Sequence, residues 1–190
     1  PFWSEIFSNP SSKSNLAGIN ASAILEASRE KIEQNLFLKN KKVIFTSGAT
    51  ESNNLALLGF ARNYYKKTGN YGHIITLKTE HKAVLEPLNK LKQEGFMVTE
   101  INPEKDGLIS EEQFKQNIRE DTFMVSVMLA NNEIGVIQPV DNISKICKSR
   151  GIIFHSDFAQ CLGYIELDNL LSDVNMITMS SHKIYGPKGI

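Results

Sequence analysis

Short apolar runs alternate along this chain with segments of helical period. That alternation restricts the fold more than any other feature. LysValIlePheThr (42–46), HisIleIleThrLeu (73–77), Phe96 to Ile101, ThrPheMetValSerValMetLeu (122–129), IleIlePheHis (152–155) and AsnMetIleThrMet (175–179) read as strands. ESNNLALLGFARNYYKK (51–67) reads as a helix after the turn SGAT (47–50). Residues 81–95 form a second, with Val84, Leu88 and Leu91 on one face and Gly95 as its terminator. After the turn NPEKDG (102–107), Ser110 and Gln113 make a capping-box pattern ahead of Phe114 and Ile118. Asp141 is the expected cap of a helix carrying Ile143, Ile146 and Cys147 and ending near Gly151. Strands apolar on both faces and separated by helices predict an α/β fold. Its sheet is mostly parallel and covered by helices on both faces. Ligands of such sheets bind beyond the carboxyl ends of the strands.

Composition narrows the classes of function. The 190 residues suffice for one domain with a core. Lysine plus arginine number 21 and aspartate plus glutamate 21, so charge gives no support for nucleic acid or a membrane surface as a partner. No apolar run reaches the roughly 18 residues of a membrane span. The start, PFWSEIFSNP, lacks the pattern of a signal peptide and has no initiator methionine, which suggests truncation. Two cysteines, Cys147 and Cys161, can build neither a disulfide framework nor a four-thiolate metal site. No metal is expected, and a reducing, cytoplasmic compartment is the default.

The strand ends carry the chemistry. After 42–46, the small-residue turn SGAT leads into a helix whose free N–H groups favour an anion; Gly48 permits close approach and Thr50 offers a hydroxyl. The alternative is an ordinary capped helix start, since neither phosphate fingerprint is present. Glu80-His81 follows the second strand, where a histidine could stack on a ring, move protons or lie on the surface. AlaAsnAsnGluIleGly (130–135) follows the fourth, with amides able to orient a ligand or simply make a loop. Asp157 follows Ile152, Ile153 and Phe154, and a poorly solvated carboxylate there needs a cation. A protonated pyridine nitrogen or a nearby arginine would serve. Ser180, Ser181, His182 and Lys183 close the series. An anion-binding turn, a histidine, an amide, a carboxylate and a lysine are together the groups that hold pyridoxal phosphate.

These blocks resemble the NifS/IscS-like cysteine desulfurases, in the class V aminotransferase family of fold-type I pyridoxal phosphate enzymes. The likeness runs in order through NPSS (9–12), FTSGATESNNLA (45–56), HIIT (73–76), TEHKAVL (79–85), VSVM (125–128), NNEIGVIQP (131–139), GIIFHSD (151–157) and SSHKIYGPKGI (180–190). It implies an N-terminal arm, 1–20, and a pyridoxal phosphate-binding large domain, 21–190, with a mostly parallel mixed sheet in a three-layer α/β/α arrangement. By resemblance, Lys183 carries the cofactor as a Schiff base and shuttles protons. Asp157 pairs with the pyridine nitrogen, and Gln160 meets the phenolic oxygen. His81 stacks on the ring and takes part in acid–base steps. Ala49 and Thr50 hold the phosphate with Ser180 and His182, and Asn132 lies against cofactor or substrate. Lys188 reads as structural or solvated.

The implied reaction turns L-cysteine into L-alanine. Its sulfur passes as a persulfide to an acceptor or scaffold protein for iron–sulfur cluster or thiocofactor assembly. A homodimer is expected of the complete enzyme. The alternatives are another class V enzyme, a selenocysteine lyase or an aminotransferase, and a cofactor-binding domain without turnover of its own. The family's Asp-Asn-x-Ala-Thr-Thr-like segment would precede this chain. Its nucleophilic cysteine, substrate-binding arginine and small C-terminal domain would follow, so the 190 residues alone are expected to make no persulfide. Asn15 stands where relatives often carry histidine. Cys161, next to Gln160, reads as a core residue before a nucleophile, and Cys147 more so.

Overall fold

The computed structural model describes residues 5, 7–36, 41–167 and 172–190. Two compact units are present, Pro1–Ile44 and Phe45–Ile190. The first contains helix α1 (Leu16–Asn35), an element that the sequence reading did not assign. Asn15 is its N-cap: the side-chain oxygen accepts the Gly18 N–H at 2.7 Å.

Residues 42–46, expected as a strand, are not one. Val43 accepts a hydrogen bond from Arg29 through its carbonyl and donates its N–H to Glu33 Oε1. Side chains of α1 thus hold backbone groups that a sheet neighbour would otherwise satisfy.

The second unit is a five-stranded sheet with helices. Its elements are α2 (Ala49–Thr68), β1 (His73–Leu77), α3 (Lys82–Glu94), β2 (Met97–Ile101), α4 (Glu111–Gln116), β3 (Thr122–Ser126), α5 (Val140–Ser149), β4 (Ile153–Asp157) and β5 (Met176–Thr178). A short 3₁₀ turn, Ser181–Ile184, follows. Strand order is β2-β1-β3-β4-β5. The sheet was expected to be mostly parallel, and all four described pairings are parallel. The cap of α5 also differs: Pro139 holds that position, and Asp141 lies in the first turn, where its carboxylate suits the helix dipole and pairs with Lys145. Helix α4 ends at Gln116, before Ile118.

The register sorts side chains by face. Ile74, Met124 and Val98 pack with Leu57 and Ala61 of α2 and Val84, Leu88 and Leu91 of α3. Ile75, Val125 and Phe154 lie in register on the opposite face. Right-handed crossovers set α3 on one face and α4 and α5 on the other, because the chain steps outward from β1 to β2 and then back past β1 to β3. β1 and β3 are therefore neighbours whose helices leave in opposite directions, and a crevice opens at their carboxyl ends.

Leu88 is fully buried in the α2–α3 cluster. Leu88→Ala should cost about 2–5 kcal/mol of unfolding free energy, measured as a lowered urea midpoint with an unchanged slope.

Candidate active site

The crevice is a cavity of about 630 Å³. Its walls include Ala49, Thr50, His81, Asn132, Asp157, Gln160, Ser180, His182 and Lys183, every site residue singled out in the sequence. Lys188 lines it too, so the GPKG turn faces the site as well as backing it. A depression of similar volume beside Glu111 and Gln116 gathers side chains from α4 alone and brings no such groups together.

Each wall follows from local structure. Gly48 caps α2 at φ 143°, a conformation that favours glycine, and no atom stands within 4 Å of where a Cβ would be. No side chain caps this start, so the amides of Ala49 and Thr50 are presented to the cavity. Glu51 reaches back and accepts from the Ser47 N–H and hydroxyl, both at 2.6 Å, and those bonds lower its pKa. His81 is the N-cap of α3. Its Nδ1 accepts the Ala83 N–H at 3.1 Å, which leaves Nε2 to carry the proton of the neutral ring. Asn131 Oδ1 accepts the N–H groups of Glu133 and Ile134, and this turn holds the exposed Asn132 at the cavity wall. Ser180 is buried and its hydroxyl meets His182 Nδ1 at 2.7 Å. Lys183 is exposed, within the 3₁₀ turn that ends at Tyr185 with φ 62°.

Asp157 is only 5% exposed. Its Oδ2 accepts from Asn53 Nδ2 at 2.8 Å and its Oδ1 from the Ala159 N–H at 2.9 Å. Among the described residues no lysine or arginine forms an ion pair with it, so the arginine alternative lacks its residue. Two neutral donors hold a buried carboxylate that faces the cavity.

Sequence reasoning missed the layer beneath. Asn53 is fully buried, and its Oδ1 has no partner. Its signal was present: it shares the i, i+4, i+8 stripe of α2 with Leu57 and Ala61. His155 is also fully buried. Its Nδ1 meets Ser126 Oγ at 2.8 Å and its Nε2 meets Thr178 Oγ1 at 3.1 Å, so one ring spans three strands. Burial pushes its pKa down to about 4, against an opposing pull from Asp157. The two cysteines are core residues: burial pushes each thiol up to about 12, unsuited to a nucleophile.

The aminotransferase class-V family model matches residues 1–190. The chain belongs to the aminotransferase class-V family. Over all 190 residues it is 48% identical to the cysteine desulfurase IscS of Ehrlichia chaffeensis, covering 45% of that protein. Among solved structures, a NifS-like protein superposes with a TM-score of 0.89 at 38% identity, over 99% of this chain and 51% of that one. SspA in complex with cysteine gives 0.87 at 36% identity, over 100% and 53%. The chain thus spans about half the length of the curated relatives it matches. No described helix is long and apolar enough to cross a membrane.

His155 makes stability depend on pH. The unfolded histidine gains its proton near pH ~6.5, whereas the folded one resists until about 4. Between those values the unfolded state binds more protons, so stability falls as pH falls, by at most about 1.4 kcal/mol per pH unit. Urea titrations across that window should show this slope, and His155→Asn should remove it.

Proposed function

We propose that the full-length protein is a pyridoxal phosphate-dependent cysteine desulfurase. One observation carries the reading: the buried Asp157 carboxylate, held by neutral donors, shares a cavity with the α2 start and with Lys183. The donor set fits the cofactor. Its phosphate would lie on the Ala49 and Thr50 amides and the Thr50 hydroxyl, with Ser180 and His182. Its ring nitrogen would be the missing cation beside Asp157, and Gln160 would meet its phenolic oxygen. Bound there, pyridoxal phosphate supplies an electron sink for negative charge developing at the substrate α-carbon.

The remaining steps belong to the protein. Lys183 would hold the cofactor covalently through Nζ and then move protons at the α-carbon. His81 would cover the ring face and hold a proton on Nε2, ready to donate. Asn132 would orient cofactor or substrate. Asp157 would pair with the ring nitrogen and favour its protonated form.

The relatives' printed names support L-cysteine as the substrate, and the family resemblance implies L-alanine as product with sulfur leaving as a persulfide. Cys147 and Cys161 are unsuited to receive it, so the receiving thiolate is assigned to the rest of the full-length protein. An acceptor or scaffold protein would then take the sulfur, and a cytoplasmic homodimer is the working assembly.

Full-length protein incubated with pyridoxal phosphate should turn yellow, and borohydride should fix the label on Lys183. L-cysteine should yield alanine and transferable sulfur in equal amounts. Asp157→Asn should lower that rate by about a hundredfold or more. Preference for selenocysteine, or amino transfer without sulfur release, would favour the other class V activities. A protein that takes up no cofactor would refute the proposal.

A further inference from the structure

The crevice lies where β1 and β3 part, and its two lips are the segments that leave those strands. One lip carries His81 and the other Asn132. Contacts between the two segments must fix their separation.

Two hydrogen bonds do so. Glu80 Oε1 accepts the Met128 N–H at 2.7 Å, across the gap between the lips. Asn131 Nδ2 donates to the Thr79 carbonyl at 2.6 Å, again from the β3 lip to the β1 lip. Glu80 is 5% exposed and immediately precedes the cap of α3, so its side chain fixes the backbone from which His81 projects. Met128 itself lines the cavity. Of this pair of ties, only the Glu80 bond is between fully buried groups.

We infer that Glu80 is a positioning residue, clamping the His81 lip to the Asn132 lip and so setting the width of the crevice in which the ring would lie. The inference rests on the cofactor reading above. The carboxyl does this work uncharged. Among the described residues it forms no ion pair, and its Oε2 is buried without a partner. An ionised, half-paired carboxylate in that setting is far costlier than a neutral acid. Burial raises the Glu80 pKa well above the usual carboxylate range. The Asp157 charge at the end of β4 adds to the rise, and the Met128 N–H of the β3 lip only partly opposes it. A neutral Glu80 also places no negative charge behind Asp157.

Glutamine keeps the accepting oxygen and the shape of a neutral acid, whereas alanine leaves the Met128 N–H buried and unpaired. The test compares Glu80→Gln and Glu80→Ala in the full-length protein, in two steps. Without cofactor, amide exchange across 127–134 and the imidazole resonances of His81 are recorded. Glu80→Ala should speed Met128 exchange by about tenfold or more and shift the His81 signals, with Glu80→Gln close to wild type. With pyridoxal phosphate added, Glu80→Ala should bind about tenfold more weakly, and Glu80→Gln should restore the affinity.

Faster exchange with unchanged His81 signals and unchanged affinity would reduce Glu80 to a purely structural contact and overturn the inference. A glutamine variant as damaged as the alanine one would overturn the uncharged role. If Glu80→Ala does not fold, Glu80→Gln decides by the same two readouts. A wild type that binds no pyridoxal phosphate, yet shows the expected exchange and histidine shifts, would sink the cofactor reading and leave the clamp between the lips standing.

Discussion

Asn53 and Asp157 stand 104 positions apart in the chain and meet at 2.8 Å beneath the cavity. That bond joins the first turn of α2 to the end of β4, and it depends on everything that brings those two places together. The α2 stripe of Asn53, Leu57 and Ala61 must pack on the sheet, and the sheet must be parallel for the β4 end to lie at the same edge as the α2 start. Burial of both faces is what holds the strands in that order. The carboxylate is the consequence that matters chemically: removed from water, it is stable as an anion only if donors and a cation surround it.

The polar layer under the site is arranged in the same spirit. His155 reaches Ser126 on one side and Thr178 on the other, and both contacts lie among residues with almost no exposure. It is neutral because it is buried, so it braces β3, β4 and β5 without adding a second cation beside Asp157. Burial likewise raises the Glu80 pKa well above the usual carboxylate range. Glu80, His155 and Asp157 interact electrostatically, and of the three Asp157 lines the cavity. On the proposed reading this arrangement suits a protonated ring, because each further charge nearby would alter the interaction of Asp157 with it.

The parallel sheet was legible because its strands are apolar on both faces, and the site was legible because strand ends are where such folds place ligands. Thr50, His81, Asp157, Ser180, His182 and Lys183, read from the strand ends, line one cavity together with Ala49, Asn132 and Gln160, which the family resemblance singled out. Other features could not be read so directly. Val43, Ile44 and Phe45 look like a strand by composition, yet a strand requires a neighbour, and Arg29 and Glu33 take the Val43 backbone groups instead. Asp141 looks like a cap by type, but the turn at Pro139 starts α5 earlier. Asn53, Glu80 and His155 gave only the weak signal of a polar residue in an apolar stripe or at a strand end. Their meaning depends on partners tens of residues away, and no local pattern encodes those.

The central proposal is that Asp157 pairs with the ring nitrogen of pyridoxal phosphate. The most direct measurement is nuclear magnetic resonance of the full-length protein loaded with pyridoxal phosphate labelled at its ring nitrogen. A protonated pyridinium signal near neutral pH, lost in Asp157→Asn, is the predicted result. A neutral pyridine nitrogen in the wild-type protein would contradict the account, because the buried carboxylate would then have no cation to stabilise it.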